Sequence, residues 1–289
     1  MTALPTPPRS PALIPVTGVD THAHVLRGDA PLAADRHSRP AHDSPVGEYL
    51  ALLDAHGLSH GVLTAPSFYG TDNGLLLDAL AVAPDRLRGT ASVPVDTGES
   101  ELLTLRAKGI MGIRLNWSKR TSFPDPASTP YQRLFATARD CGMHVEVLIE
   151  DEHLSTLADA ILRTGAELVI DHFGMVAGIQ TPGANAVLRA LETGLTWLKL
   201  SAPYRPPADQ LTTWTRLLAA TAPDRLVWGS DWPWVSHEHD IHSYGTCLDH
   251  FVDALPDRAV RHAVLVTNPA LLLTLVPSGT AGHRSHVRF

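Results

Sequence analysis

Residues 19–24, Val-Asp-Thr-His-Ala-His, decide the fold that the sequence predicts. They end an apolar strand, and they lack the glycine-rich phosphate-binding turn that an open, doubly wound sheet places after its first strand. His22 and His24 are two residues apart, so in a strand their side chains point to the same side. The stretch therefore favours a barrel in which both imidazoles face the barrel axis.

Seven more short apolar runs follow this one, separated by longer segments with the 3.6-residue periodicity of helices. Residues 46–57, 153–164 and 208–218 are three such helical segments. Eight strands that alternate with helices imply parallel pairing through right-handed crossovers. The predicted strands are 18–22, 60–64, 87–92, 110–115, 144–149, 167–171, 196–200 and 226–229.

The length of 289 residues suits one (β/α)₈ TIM barrel, an α/β fold that typically needs about 250 residues. We therefore predict a single barrel domain over residues 16–276, with a proline-rich arm at 1–15 and a polar tail at 277–289. A hydrophobic fraction of 44% argues against a disordered chain.

The net charge of the chain limits the kinds of molecule that it can be expected to bind. A net charge of −7 gives no support to a nucleic-acid or anionic-membrane partner. No stretch approaches the ~18 consecutive apolar residues of a membrane span, and the N-terminus lacks the apolar core of a signal peptide. Cys141 and Cys247 are a poor disulfide framework. We expect a cytoplasmic protein that binds neither nucleic acid nor membrane, with a homo-oligomer left open.

Polar residues stand where three of the predicted strands end, and that end of a barrel carries the functional side chains. His22 and His24 lie at the first strand, His172 at the sixth and Asp231 at the eighth. Singly, each has a structural explanation, such as a hydrogen-bonded core histidine or an aspartate that caps the next turn. Together they predict a site at the barrel mouth where these four side chains converge.

Three arginines lie near the same strand ends: Arg114 within the fourth strand, Arg120 in the loop after it, and Arg205 after the seventh. An arginine in an apolar strand is costly to bury unless it pairs with an acidic side chain or binds an anionic ligand. Guanidinium groups hold carboxylates in a bidentate fork, so several of them suit a polycarboxylate. The sequence thus predicts an anionic small-molecule substrate, and it leaves an acidic partner for Arg114 as the alternative.

The order and spacing of three motifs resemble the amidohydrolase superfamily, and most closely its 2-pyrone-4,6-dicarboxylate lactonase-like branch. The motifs are Asp-Thr-His-Ala-His at 20–24, Ile-Asp-His-Phe-Gly at 170–174 and Trp-Gly-Ser-Asp-Trp-Pro at 228–233. Further matching phrases lie at 69–73, 112–116, 199–205 and 267–270, so the resemblance spans roughly residues 18–275. It implies that Asp231 is the general base and that His22, His24 and His172 surround the scissile carbonyl.

The resemblance also implies substrate-binding residues. Arg114, Arg120 and Arg205 match positions that hold substrate carboxylates in the family, and Asn116 lies in the phrase that contains Arg114. His37 departs from the pattern, because relatives carry a tyrosine there that helps to orient the substrate. The resemblance therefore predicts the reaction class, whereas the identity of the substrate stays open.

Three histidines and an aspartate also form a ligand set for one divalent ion, with Zn²⁺ the best match. A binuclear centre is not expected, because Arg114 occupies the fourth strand, where binuclear relatives carry a bridging ligand. His144 begins the fifth strand and so lies at the wrong end of the barrel. The charge of Arg114 opposes a metal, and the resemblance implies hydrolysis without one. We expect no required cofactor, with one Zn²⁺ held by His22, His24, His172 and Asp231 as the alternative.

We therefore expect a hydrolase that opens a small anionic lactone, 2-pyrone-4,6-dicarboxylate or a related compound, by general-base attack of water on the ester carbonyl. No Gly-x-Ser-x-Gly elbow is present to support a serine-nucleophile route. Two alternatives stay open: a zinc-dependent decarboxylase of the same superfamily, and a barrel that binds a carboxylated metabolite without catalysis. The segment with His237, His239, His242 and His250 is expected to be a solvated or lid-forming loop, with metal ligation as the alternative.

Overall fold

The computed structural model describes residues 14–34, 36–120, 122–237 and 243–275. Eight parallel strands form one sheet in which each strand pairs with the next along the chain, which confirms the predicted (β/α)₈ barrel. The observed strands agree with the predicted ones to within one residue at either end. They are β1 (Val19–Ala23), β2 (His60–Thr64), β3 (Leu87–Ala91), β4 (Ile110–Asn116), β5 (His144–Leu148), β6 (Leu168–Ile170), β7 (Thr196–Leu200) and β8 (Leu226–Trp228).

Helices cover the outside of the barrel, and the predicted segment 46–57 is helical up to Ala55, followed by Gly57 with a φ of 71°. In the part of the chain that the structure describes, no helix combines the length and the apolar character needed to cross a bilayer. The helices are α1 (Val46–Ala55), α2 (Gly74–Val82), α3 (Glu99–Ala107), α4 (Thr129–Asp140), α5 (Asp151–Leu162), α6 (Pro182–Glu192), α7 (Leu211–Thr221), α8 (Tyr244–Ala254), α9 (Arg258–His262) and α10 (Asn268–Leu272).

The described part of the predicted domain 16–276 is this one barrel. Of the predicted arm 1–15, residues 1–13 lie outside the described residues, and so does the whole predicted tail 277–289. The same holds for His239 and His242 in the histidine-rich loop. The prediction of a loop is wrong for His250, which lies within the helix Tyr244–Ala254.

Side chains fill the inside of the barrel in layers. Arg114, Glu146, Asp171 and Lys199 form a buried layer of charged groups, each at most 3% exposed. An apolar floor lies below them, and the outer faces of the strands pack against the helices in a larger apolar cluster. The chemistry-bearing residues thus lie above the floor, toward the carboxyl ends of the strands. The floor consists of Val19, Val62, Met111, Val169, Trp197 and Val227, with Leu272 and Leu273 packed beneath.

An irregularity in β1 places His22 inside the barrel. Asp20 pairs with Gly61 and Ala23 with Leu63, so three steps along β1 match two along β2. Such a bulge shifts the alternation of the side chains. As a result, Val19 lies in the apolar floor and His22 lies among the charged groups above it, although the two are three residues apart.

Asp20 joins the first strand to the last. Its carboxylate accepts hydrogen bonds from the Ser230 amide (2.9 Å), the Ser230 hydroxyl (2.6 Å) and the Tyr244 hydroxyl (2.8 Å). Burial raises the pKa of Asp20, and these hydrogen bonds oppose the shift. The same carboxylate accepts a hydrogen bond from the amide of His22 (3.1 Å), so barrel closure and the position of His22 depend on one residue.

Replacement of this carboxylate should destabilise the barrel. We expect Asp20→Asn to lower the free energy of unfolding by about 2–3 kcal/mol, because an amide nitrogen would face the donors from Ser230 and Tyr244. Urea denaturation measures the change, and Asp78→Asn on the exposed face of α2 is the matched control, expected to stay within about 0.5 kcal/mol of wild type. A loss for Asp20→Asn no larger than that of the control would contradict the role of Asp20 in closure.

Candidate active site

Four side chains meet at the carboxyl end of the barrel. Oδ1 of Asp231 lies 3.4 Å from Nε2 of His22, 3.6 Å from Nε2 of His24 and 3.7 Å from Nε2 of His172. The Nε2 atoms of His22 and His24 are 3.3 Å apart. All four side chains are buried. The structure thus brings together the four residues that the sequence selected.

Backbone geometry directs two of these side chains into the site. His172 and Asp231 have φ values of 49° and 58°, and the left-handed conformation costs a residue with a side chain roughly 1–2 kcal/mol. The amide of Asp231 donates to the carbonyl of His22 (2.9 Å). Gly229 leaves the space that His22 fills, because a Cβ at Gly229 would stand 2.6 Å from Cβ of His22. The surrounding contacts therefore hold an unfavourable backbone in place, as is typical of functional sites.

Burial keeps two of the imidazoles neutral. It lowers the pKa of His172 to about 3 and the pKa of His22 well below its usual value. Nδ1 of His24 lies 2.7 Å from the carbonyl oxygen of Thr64, which can only accept, so this nitrogen carries the hydrogen. In the neutral ring, Nε2 of His24 then presents a lone pair to the centre of the site. Nδ1 of His172 lies 2.9 Å from the hydroxyl oxygen of Ser201, which orients that ring.

Asp231 is a buried carboxylate that its neighbours keep ionised. Burial alone would raise its pKa, but contacts with the three surrounding imidazoles and attraction to the charged Arg205 outweigh burial and hold the pKa of Asp231 well below its usual range. The Tyr204 hydroxyl donates a hydrogen bond to Oδ2 of Asp231, and Nη2 of Arg205 lies 3.8 Å from the same oxygen. Oδ2 is thereby engaged, while Oδ1 faces the imidazoles and can accept a proton at neutral pH.

The charged layer lies directly beneath this site. Nη2 of Arg114 is 2.8 Å from Oδ2 of Asp171, and its Nε is 3.1 Å from Oε1 of Glu146. Nζ of Lys199 lies 2.6 Å from Oε2 of Glu146 and 3.2 Å from Oδ1 of Asp171. Of the two explanations offered for Arg114, acidic pairing is the one observed. The pairing also offsets the charge of Arg114, which weakens the expectation that this charge opposes a metal.

Sequence reasoning missed Glu146 and Lys199 as part of the site. Both interrupt otherwise apolar strands, in Val-Glu-Val at 145–147 and in Leu-Lys-Leu at 198–200. The argument applied to Arg114, that an ionisable group in an apolar strand needs a partner, could have found them. Tyr204 was also missed, and nothing in its local sequence predicts its contact with Asp231.

Two adjoining cavities open above the four residues. The inner one, of about 60 Å³, is lined by His24, His172, Arg205 and Asp231 among others. The outer one, of about 550 Å³, shares several wall residues with it and opens to solvent. Within the described residues, the wall of the outer cavity contains no carboxylate. Its cations are Arg36, Arg114, Lys119 and Arg120.

The remaining predicted binding residues lie on these cavity walls. His37 and Asn116 line both cavities, and Nε2 of His37 lies 3.3 Å from Oγ of Ser67. Oδ1 of Asn116 and Nε of Arg205 are buried, and within the described residues no hydrogen-bond partner is found for either atom. Arg120 is exposed at the rim of the outer cavity. Two side chains that line the cavities thus each keep one buried polar atom unsatisfied.

The histidine-rich loop begins at the inner cavity. The ring of His237 packs 4.5 Å from the ring of Tyr204, and His237 lines the inner cavity. This position lies close to the Asp231 carboxylate that Tyr204 contacts. The expectation of a solvated or lid-forming loop stays a prediction for the part of the segment that lies outside the described residues.

Three of the four central atoms, those of His22, His24 and Asp231, also have the spacing of a zinc site. Zn–N bonds of about 2.0–2.1 Å place tetrahedral ligand atoms about 3.4 Å apart, and the observed separations run from 3.3 to 3.6 Å. The carbonyl of Thr64 orients His24 with Nε2 inward, as outer contacts of metal-binding histidines do. The donor atoms of His22, His24 and Asp231 therefore fit one zinc ion, whereas His172 falls outside this group. His144 lies apart from it at the start of β5, packed against Gly112, as expected.

Known proteins resemble this chain over almost its whole described length. The amidohydrolase family model matches residues 19–275. The chain is 32% identical over 277 residues to 4-sulfomuconolactone hydrolase of Rhizobium radiobacter, which covers 91% of this chain and 92% of that protein. It is 27% identical over 282 residues to 2-pyrone-4,6-dicarboxylate hydrolase of Comamonas testosteroni, covering 90% of each. A crystal structure of a probable 2-pyrone-4,6-dicarboxylic acid hydrolase from Acinetobacter baumannii, with citric acid bound, matches with a TM-score of 0.84 and 30% identity, covering 89% of this chain and 99% of that one.

The neutral state of His172 can be measured directly. Because burial lowers the pKa of His172 to about 3, its ring nitrogens should keep neutral NMR shifts from pH 8 down to about pH 5, whereas in urea the same ring should titrate near about 6.5. The unfolded state then binds more protons, so the stability that this residue contributes should fall as the pH drops below about 6.5. A midpoint for His172 above about pH 5 in the folded protein would contradict the assignment.

Proposed function

This chain belongs to the amidohydrolase family, and on that premise we propose that it hydrolyses a small lactone that carries anionic groups. The substrate is 2-pyrone-4,6-dicarboxylate, a sulfonated muconolactone or a closely related compound, since two relatives are named for hydrolysis of such lactones. The observation that carries the proposal is one ionised carboxylate, Asp231, at the base of a cavity whose other charged wall residues are cations.

The cavity walls support an anionic substrate. Arg36, Lys119 and Arg120 line the outer cavity, and Arg205 lines the inner one beside Asp231. The protein as a whole carries a net charge of −7, so the walls of these two cavities, the mouth of the barrel, concentrate cations on an otherwise acidic molecule. Such a local field attracts anions and raises their concentration at the site. The citric acid in a structural relative is likewise a polycarboxylate.

Asp231 supplies the base for hydrolysis. Oδ1 accepts a proton from a water molecule as the water oxygen adds to the lactone carbonyl. The ring C–O bond then breaks, and the same proton passes from Asp231 to the departing ring oxygen, which leaves an open-chain carboxylic acid. Tyr204 and Arg205 hold Oδ2, so that Oδ1 keeps its direction toward the reacting water. A positioned base of this kind contributes about 10²–10⁴-fold to the rate.

The imidazoles stabilise the charge that develops on the carbonyl oxygen. We propose that hydrolysis requires no metal and that His22 and His172, which surround Asp231, donate hydrogen bonds to this oxygen. Such donors act in a buried site, where they need no rearrangement during the reaction. A zinc ion held by His22, His24 and Asp231 would instead polarise the carbonyl as a Lewis acid.

Hydrolysis fits the site better than the two alternatives. A decarboxylase of the same superfamily would use the same four residues, but two relatives that match about nine-tenths of this chain in sequence are lactone hydrolases. A barrel that only binds an anion gains nothing from Asp231, because an ionised carboxylate in the cavity repels an anionic ligand. The same carboxylate is required by a reaction that begins with proton transfer.

The cysteines support a reducing compartment for this enzyme. Cys141 and Cys247 are both buried and unpaired. Free thiols persist in the cytosol, where glutathione and thioredoxin keep them reduced. We therefore place the hydrolase in the cytoplasm, in the breakdown of ring-cleaved aromatic acids that yields lactones of this kind.

Loss of the base should abolish turnover. We expect Asp231→Asn to lower kcat by at least about 100-fold, the minimum for a positioned general base, while substrate binding and folding are retained. Stopped-flow or steady-state assays with 2-pyrone-4,6-dicarboxylate measure kcat, and Asp209→Asn, an exposed aspartate ahead of α7, is the matched control. An Asp231→Asn enzyme that kept more than about a tenth of wild-type kcat would show that another group is the base.

Removal of the Arg205 charge should weaken binding of charged lactones. We expect Arg205→Met to raise KM for a dicarboxylate lactone at least tenfold, because a bidentate contact contributes about 1.5–3 kcal/mol. Arg133→Met on the exposed side of α4 is the control. Arg114 is unsuitable for this test, since its loss would leave Asp171 and Glu146 unpaired.

A neutral lactone of the same ring size completes this experiment. Wild type should turn it over poorly, and Arg205→Met should not change that rate. Equal kcat/KM for neutral and dicarboxylate lactones in the wild-type enzyme would refute the anionic substrate class.

A further inference from the structure

The central atoms of the site require a hydrogen or a cation between them. When the ring of His24 is neutral, its Nε2 presents a lone pair, because its Nδ1 donates to the carbonyl of Thr64. Nε2 of His22 lies 3.3 Å from this lone pair and 3.4 Å from the Asp231 carboxylate. If the hydrogen of neutral His22 were on Nδ1, three electron-rich atoms would face one another. A hydrogen on Nε2 of His22 removes this conflict without a metal.

The surroundings of Nδ1 in His22 determine which nitrogen carries that hydrogen. Oδ1 of Asp171 and Nζ of Lys199 both lie 3.2 Å from this Nδ1. A carboxylate can only accept, so Asp171 alone would favour the hydrogen on Nδ1. An ammonium group can only donate, so Lys199 favours a lone pair on Nδ1 and therefore the hydrogen on Nε2.

The geometry around Lys199 favours the second arrangement. Its Nζ makes hydrogen bonds with Oε2 of Glu146 (2.6 Å) and Nδ1 of His22 (3.2 Å), and it forms an ion pair at 3.2 Å with Oδ1 of Asp171, for which the described residues provide no hydrogen bond. Lys199 can donate to Nδ1 of His22 only when this nitrogen is unprotonated. Lys199 is 2% exposed, so no solvent is available to replace a missing acceptor.

We propose that Lys199 is a positioning residue that fixes His22 as the Nε2–H tautomer, which makes His22 a hydrogen-bond donor at the reaction centre and a poor zinc ligand. The donor role rests on the proposed lactone hydrolysis, whereas the tautomer and the zinc affinity do not. Lys199 thereby acts on the reaction through His22, without touching the substrate itself.

Removal of the Lys199 ammonium should reverse the tautomer that His22 prefers. Among the described residues, Asp171 then remains as the only partner of Nδ1 in His22, the hydrogen moves to Nδ1, and Nε2 offers its lone pair to a metal. Repulsion between the ammonium and a divalent ion is also lost. The double variant Lys199→Met/Glu146→Gln removes one cation and one anion, so it leaves the net charge of the buried layer unchanged.

Nitrogen-15 NMR on histidine-labelled, metal-depleted wild type tests the tautomer without any variant. The expected result is a protonated Nε2 and an unprotonated Nδ1 in His22, with the opposite pattern in His24. A protonated Nδ1 in His22 of the wild-type protein would overturn the proposal, whether or not the variants fold.

Zinc titration of the metal-depleted proteins against a competing chelator tests the consequence. The double variant should bind zinc at least tenfold more tightly than wild type, while Lys199→Arg, which keeps a donor, should remain within about threefold. Glu146→Gln alone should not tighten binding, because it removes an anion and leaves Lys199 in place. Unchanged zinc affinity in a folded double variant would refute the role of Lys199. Neither measurement uses a lactone, so failure of the proposed substrate class would leave both results intact.

Discussion

The pairing of Arg114 and Lys199 with Asp171 and Glu146 inside the barrel is the constraint on which the rest of the site depends. A single charge in this place would cost several kcal/mol, whereas two cations and two anions that share their contacts offset that cost. The four groups come from β4, β5, β7 and the end of β6, so the layer links neighbouring strands across the inside of the barrel. It separates the apolar floor from the imidazoles and holds His22 from below. A barrel filled with aliphatic side chains at this height would fold, but it would leave the ring of His22 without directional contacts.

A second consequence of this layer is the distribution of charge along the barrel axis. Because the inner charges are balanced, the field at the mouth is set by the residues above them. Arg205 in the inner cavity and Lys119 and Arg120 in the outer one are cations, and Asp231 is the single carboxylate on the described walls. That one anion is ionised because its neighbours outweigh the effect of burial. An anionic substrate is therefore attracted to the mouth as a whole and meets a negative group only at the reacting atom, where proton transfer neutralises it.

The sequence predicted the strands and the four central residues well, because both follow from local patterns. Apolar runs and helical periodicity are local, and the position of His22, His24, His172 and Asp231 follows from the rule that barrel strands present function at their carboxyl ends. Contacts between distant strands were not predictable in the same way. Arg114 had two possible explanations in the sequence, and only the juxtaposition of β4 with β5 and β6 selected the acidic partners. The bulge in β1 likewise depends on how β1 pairs with β2, and no residue type in 19–23 indicates that a bulge forms there.

The position of the ring hydrogen of His22 determines whether this site can bind a metal or can donate hydrogen bonds to a substrate. The Nε2 atoms of His22 and His24 and the Asp231 oxygen, which lie 3.3 to 3.6 Å apart, suit a zinc ion, and they suit a cluster of hydrogen bonds equally well. The ligand atoms therefore do not decide between them; the groups behind the rings do. His24 has a carbonyl behind it, which commits its inward nitrogen to a lone pair. His22 has both a carboxylate and an ammonium behind it, and the ammonium can donate to Nδ1 only when this nitrogen is unprotonated. A lysine in the wall of the barrel, two contacts away from the substrate, can in this way determine whether a histidine donates a hydrogen bond or binds a metal.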